Sequence, residues 1–362
     1  MHIPDGYLSP STCAVLYAGA APFWAVSLKR TRTLLHARMV PLISLVSAFS
    51  FVIMMFNIPL PGGTTGHAVG MAVSAILLGP WASILAISVA LLIQAVFFGD
   101  GGITSFGANS FNMAIVGSLV AYAVYRLISG RAPIQSPRRV IAAALAGYAA
   151  INASALCAAI EFGIQPGLFH DASGAPLYAP YPLGIAIPAM MIGHLSLAGI
   201  AELVISGGLI SWLQHANPAL LKMTASGAKD SEALPEPFGW AALRPLWIGL
   251  AAMMIATPLG LLAAGTAWGE WGPEDFKKPE ARQEITAASH NLAPPKNPPA
   301  GLERLGSIWS APIPDYAPAF LKNQNLGYVL SAMFGTGLII FVSLIVNWLS
   351  QLGTSRSVRK SD

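Results

Sequence analysis

Apolar residues in this chain gather in runs of roughly twenty, with none of the two-residue alternation expected of a lipid-facing barrel wall. The runs fall near residues 11–28, 39–58, 66–79, 81–98, 107–128, 140–162, 183–213, 245–267 and 326–350. Glycine, proline and other small residues are scattered through them, as in helices that pack closely in lipid. The pattern predicts an all-α, polytopic helical membrane protein with about nine transmembrane helices. The run 66–79 is short and is followed by Pro80, so 66–98 reads either as one broken helix or as two short ones.

Loop charge separates these readings. Basic residues cluster between Lys29 and Arg38 and between Arg131 and Arg139, and the positive-inside rule puts both clusters in the cytoplasm. Four spans between them satisfy the rule and three do not. Residues 66–79 and 81–98 are therefore expected to be two antiparallel helices joined at Gly79-Pro80. Lys222, Lys229 and Arg244, and the tail with Arg356, Arg359 and Lys360, also fall inside. The amino terminus is then outside, with the loops around Pro61, Asp100 and His170, and the carboxy terminus is cytoplasmic. Basic residues follow the first apolar run rather than precede it, so this run is expected to be a retained anchor, not a signal peptide.

Composition agrees with the hydropathy pattern. Of 362 residues, 54% are apolar and 10% charged, against about 25% charged in a soluble domain. The net charge of +4 reflects the placement of basic loops about a bilayer rather than a nucleic-acid partner. Cys13 and Cys157 lie in apolar runs, outside any CxxC or Cys/His cluster, and read as packing residues.

The chemistry starts at the first two residues, MHIPDGYL. A terminal amine, the amide nitrogen of residue 2 and Nδ1 of a residue-2 histidine can close two fused chelate rings on one ion. A further donor is available in NIPLPGGTTGHAVG, where His67 follows a Pro/Gly-rich stretch. Such backbone is tolerated at membrane depth only when buried in protein or lining a cavity. His67 is expected to begin the next helix. Four nitrogens in a plane suit Ni(II) or Cu(II) and accommodate Co(II), whereas Zn(II) prefers a tetrahedron and Mg(II) or Ca(II) prefer oxygen.

MHIPDGYLSP, GGTTGHAVG and GDGGITSFGANSFNMAIVG together resemble the substrate-specific membrane component of nickel/cobalt energy-coupling factor transporters, the NikM/CbiM family, over about residues 1–215. The resemblance implies that Met1 supplies its amine, His2 its amide nitrogen and imidazole, and His67 a second imidazole, with the amino-terminal segment tucked back into the bundle. One residue inserted ahead of Met1 should then destroy the site. It also implies a transmembrane coupling subunit and two cytoplasmic ATP-binding subunits. No GxxxxGK[ST] phosphate loop occurs in the chain, so ATP hydrolysis by that route must come from partners and no enzymatic role is expected.

Residues 216–244 turn polar and read as a cytoplasmic linker. Residues 245–362 hold two helices around a Pro-rich outward loop, with Trp268 and Trp271 expected in an interfacial belt. This part resembles the accessory component of the same transporters, the NikN/PDGLE type, although Pro299-Ala300-Gly301-Leu302-Glu303 lacks the motif aspartate.

Other polar residues are read more modestly. Asn109 and Asn112 are expected to order the site from behind. Asp100 reads as a turn residue rather than a participant in metal passage. His194 and Glu202, eight apart, suggest an internal pair or a partner interface. His36, His170, His215 and His290 lie in loops without ligand-like spacing. Ala14 with Ala18 and Ala21 with Ala25 form a small-residue stripe suited to close packing or to a coupling subunit. The function read from these features is uptake of nickel, or cobalt, across the plasma membrane. A proton-coupled secondary transporter or an integral membrane metalloenzyme remain as alternatives. The first calls for an intramembrane carboxylate relay, the second for an open metal position with a general base.

Overall fold

The computed structural model describes residues 1–31, 39–222, 224–225 and 243–358. His36, Lys229, Arg359, Lys360 and most of the linker 216–244 lie outside the described residues. Helices α1 (Pro10–Thr31), α2 (Val40–Met54) and α3 (Met71–Leu78) follow one another, α2 and α3 separated by a hairpin of β1 (Ile58–Leu60) and β2 (Thr64–Gly66). Next come α4 (Pro80–Phe98), α5 (Phe106–Ser129), α6 (Pro137–Leu168) and α7 (Leu183–Ala216). The carboxy-terminal part holds α8 (Arg244–Leu262), the short helices α9 (Pro279–Ala288) and α10 (Ala300–Leu305), and α11 (Gln324–Val358).

Each predicted run contains a helix, and seven of the described helices are long and apolar enough to cross a bilayer. The exceptions are α2 and α3. At 1.5 Å per residue α3 is only about 12 Å long, well short of a hydrocarbon core of about 30 Å. It is wholly buried, whereas α1 stands largely exposed at the edge of the bundle. Ala14, Ala18, Ala21 and Ala25 are all exposed on it.

Gly79 takes a positive φ of 76° and Pro80 starts α4 where its missing N–H costs nothing. The chain thus folds back between α3 and α4 at the predicted Gly79-Pro80 turn. Ser83 donates to Ser74 across this hairpin at 2.8 Å and lies 2.7 Å from Ser118 of α5, three buried hydroxyls that tie the helices where no water can. α6 is capped by Ser136, whose Oγ accepts from the Arg138 N–H, and Arg139 is buried with its guanidinium on Tyr125 and on the Ala132 and Pro133 carbonyls. α7 is not one straight span. Its turns widen over His194–Ala198 and Ser196 leaves helical geometry, with φ −102° and ψ −109°.

The expectation that His67 begins a helix is corrected. β1 and β2 pair antiparallel in the register Ile58↔Gly66, and α3 starts only at Met71, after Gly70 with φ 76°. His67 sits in irregular backbone between strand and helix. The physical reason is a partner far away in sequence. Glu202 of α7 accepts from the N–H groups of Val69 (2.7 Å), Gly70 (3.0 Å) and Met71 (2.8 Å), satisfying the free donors at the start of α3.

The interfacial belt is corrected as well. Trp268 and Trp271 are 6% and 4% exposed, packed in a cluster with Phe162, Tyr181 and each other. The loop that carries them folds onto the amino-terminal part instead of lying along a membrane surface. α10 follows the same logic. The Gly301 N–H donates to the Leu177 carbonyl at 2.7 Å, and a Cβ at Gly301 would sit 2.3 Å from the Tyr178 ring, so only glycine permits this approach.

Candidate metal centre

The amino-terminal segment lies inside the bundle. Met1 and His2 are 3% and 1% exposed, and Ile3, Tyr7 and Leu8 are buried beside them. The segment is fastened along its length. Asn109 of α5 accepts from the Ile3 N–H at 2.8 Å and donates to the Ile3 carbonyl at 3.1 Å, while the Gly102 N–H donates to that same carbonyl. Asp5 accepts from the backbone of Ile103 and Thr104 and from the Thr104 hydroxyl. Tyr7 donates its hydroxyl to the Trp271 carbonyl at 2.7 Å. A Cβ at Gly102 would lie 2.3 Å from the Asp5 nitrogen, so the glycine-rich turn after α4 is the groove in which this strap rests.

The strap delivers its amine and imidazole to one place. His2 and His67 have ring centroids 5.0 Å apart at an interplanar angle of 30°. Nε2 of each ring is buried without a hydrogen-bond partner. Nδ1 of His2 lies 2.7 Å from Asp100, and Nδ1 of His67 is 3.1 Å from the Ala68 carbonyl. The Met1 ammonium pairs with Glu270 at 3.2 Å. Asp100 also accepts from Tyr316 (2.6 Å) and Gln94 (3.1 Å) through its other oxygen.

Electrostatics favour an uncharged His67. Burial, the adjacent His2 and the terminal amine hold its imidazole well below the usual histidine range, leaving a ring nitrogen free to donate. Burial opposes ionisation of Asp100, but the neighbouring His2 outweighs it and its carboxyl stays below the ordinary carboxylate range. Asp100 is thus no simple turn residue; the earlier expectation underrated it. Among the described residues no three His, Cys, Asp or Glu side chains stand close enough to hold an ion alone. Any chelate here needs backbone nitrogen as well.

The two asparagines differ. Asn109 grips the strap, whereas Asn112 donates to Glu161 at 2.7 Å. His194 bonds the Met190 carbonyl of its own helix and does not pair with Glu202. Glu270, Asp100 and Tyr316 were not singled out as site residues by sequence reasoning. Two of them sit in the carboxy-terminal part, and no local motif connects them to position 1. Replacing Asn109 by alanine is expected to lower metal affinity about 10- to 100-fold, the usual effect of losing an outer-shell partner. Asn112→Ala should leave it within twofold, and calorimetric titration of both proteins with nickel checks the contrast.

A family model described as the cobalt uptake substrate-specific transmembrane region (CbiM) matches residues 2–220, and one described as the PDGLE domain matches residues 244–352. The fused nickel transport protein NikMN of Rhodobacter capsulatus is 58% identical over 94% of this chain and 95% of its own length. The probable fused nickel transport protein LarMN of Lactiplantibacillus plantarum is 41% identical over 98% of this chain and 100% of its own. A solved transition metal transporter is 52% identical, covers 59% of this chain and 92% of that one, and superimposes with a TM-score of 0.56. On the strength of this coverage, and with a buried amino terminus beside two imidazoles whose Nε2 atoms have no partner, the chain belongs to the CbiM family of substrate-specific transmembrane regions and carries a PDGLE domain behind that region.

Proposed function

We propose that this multi-pass membrane protein takes up nickel, or cobalt, as the substrate-binding subunit of an ATP-driven energy-coupling factor transporter. The ligands proposed are the Met1 amine, the His2 amide nitrogen and imidazole, and the His67 imidazole. One observation carries the ligand assignment. The terminal amine and both imidazoles converge in buried surroundings, where Nε2 of His67 lacks the partner that a buried polar atom ordinarily finds, while Asp100 holds Nδ1 of His2, the chelating nitrogen.

Asp100 and Glu270 hold the imidazole and the ammonium while no ion is bound. A divalent cation displaces one proton from the Met1 ammonium and one from the His2 amide, both lost to solvent, and draws Nδ1 of His2 off Asp100, since metal donors must be deprotonated. The two carboxylates then remain as nearby negative charge. The amino terminus is proposed to face outward and the carboxy terminus inward. Residues 1–215 form the metal-binding part, 216–244 the linker and 245–362 the accessory part. A coupling subunit docks on the exposed alanine stripe of α1, and separate cytoplasmic subunits bind ATP.

The buried carboxylates argue against a proton-coupled carrier. Glu202 accepts from three backbone N–H groups and Glu161 from Asn112, and among the described residues these two carboxylates are not bonded to each other. The test is to offer the purified chain equimolar nickel, cobalt and zinc and to measure metal content, then to follow uptake by vesicles with and without ATP and the partner subunits. Retention of nickel or cobalt over zinc, and accumulation only with ATP, is the expected result. Preference for zinc, or uptake driven by a proton gradient alone, would overturn it.

A further inference from the structure

We propose that the recess between His67 and the Pro314–Tyr316 turn is an antechamber. It takes up a hydrated divalent cation on the carboxylates of Asp315, Glu270 and Asp100 and passes it to His67 at its floor, and so to the donors beside that ring. The inference rests on the metal-uptake reading above and assigns a path to the same site.

The recess has a volume of about 220 Å³, and its walls include His67, Asp100, Glu270, Asp315 and Tyr316. A water molecule takes about 30 Å³ in the liquid, so a cation fits here with much of its hydration shell. Exposure falls in steps along the recess. Asp315 is exposed, the Glu270 and Asp100 side chains are 22% and 19% exposed, and His67 is 6% exposed. At the buried end stands the unpartnered Nε2 of His67. Negative charge thus lines the way from solvent to a free nitrogen.

Asp315 has no ion-pair partner among the described residues, and although the residue is exposed, the partial desolvation of its carboxyl together with the nearby Asp100 pushes that carboxyl above the ordinary range. A cation would relieve that repulsion. Asp315 and Tyr316 both take left-handed backbone, φ 52° and 58°, an arrangement that turns the Tyr316 hydroxyl onto Asp100. Since no three side chains converge as a tight cage, contact through water suits the recess better than direct ligation. A second recess, about 120 Å³, has Glu270 and Asp5 but no histidine.

An antechamber residue lowers the barrier in both directions and leaves the end states alone. Stopped-flow mixing of Ni²⁺ with the full chain in nanodiscs, read by tryptophan fluorescence, separates this from ligation. For Asp315→Asn, association and dissociation are both expected to slow about five- to tenfold, with the equilibrium constant within twofold and a shallower salt dependence. Asparagine tolerates left-handed backbone, so the turn should persist, and Asp315→Glu should restore the rates. An unchanged association rate overturns the proposal, and so does a loss of equilibrium affinity, which would make Asp315 a ligand or a structural residue. His67→Ala is run alongside. If it binds nickel as tightly as the parent, the ligand set is what failed, whatever Asp315 does.

Discussion

A three-residue extension ahead of Met1 is expected to lower nickel affinity by more than 100-fold while the bundle stays folded. Loss of an outer-shell partner typically costs 10- to 100-fold, and this change removes the terminal amine itself. It also leaves no room for the strap, because Met1 is 3% exposed and its nitrogen already rests against Glu270. Three residues are a stricter test than one. A single added residue is also expected to destroy this site, but it makes the histidine third in the chain, where an amine, two amides and an imidazole form a different nickel chelate that would mask the loss. Calorimetry against nickel, with a thermal melt to establish folding, makes the measurement. Undiminished affinity in the folded, extended protein would falsify the ligand set.

The second large effect is expected at Glu202, far from the ligands. Glu202→Ala strips acceptors from the N–H groups of Val69, Gly70 and Met71 in a fully buried setting. Each buried donor left unsatisfied costs about 1–3 kcal/mol, so the alanine protein should be destabilised by several kcal/mol and should lose metal binding as the His67 loop is freed. Glu202→Gln keeps one carbonyl oxygen and should fall between the two. A graded loss of melting temperature and of nickel affinity, from parent to glutamine to alanine, is the expected order. Full affinity in a stable Glu202→Ala protein would show that the carboxylate does not hold the loop.

The helices were legible because lipid imposes a strong, local signal. Every apolar run of useful length holds a helix, and loop charge alone selected the hairpin at Gly79-Pro80. The error at His67 arose where local signal ends. Ala68, Val69 and Met71 continue an apolar pattern, and nothing nearby reveals that Glu202, 133 residues from Val69, holds that backbone in irregular form. The same limit hid Glu270, Asp100 and Tyr316 as neighbours of position 1. Trp268 and Trp271 misled for a related reason, since aromatic residues beside an apolar run look alike whether they face a membrane surface or a second segment of protein. His2 and His67 were accessible because one is pinned to the chain start and the other follows an unusual Pro/Gly bend.

The ion pair between Met1 and Glu270 joins residues 269 apart, one immediately ahead of the CbiM-matched segment and the other within the PDGLE-matched one. On a single polypeptide that meeting is intramolecular, and a short tether supplies an effective concentration on the order of millimolar. Two separate proteins would have to achieve the same occupancy through intrinsic affinity across their shared face. Cutting the chain between the segments should therefore make nickel loading depend on how much of each half the membrane contains, a dependence that the joined polypeptide escapes.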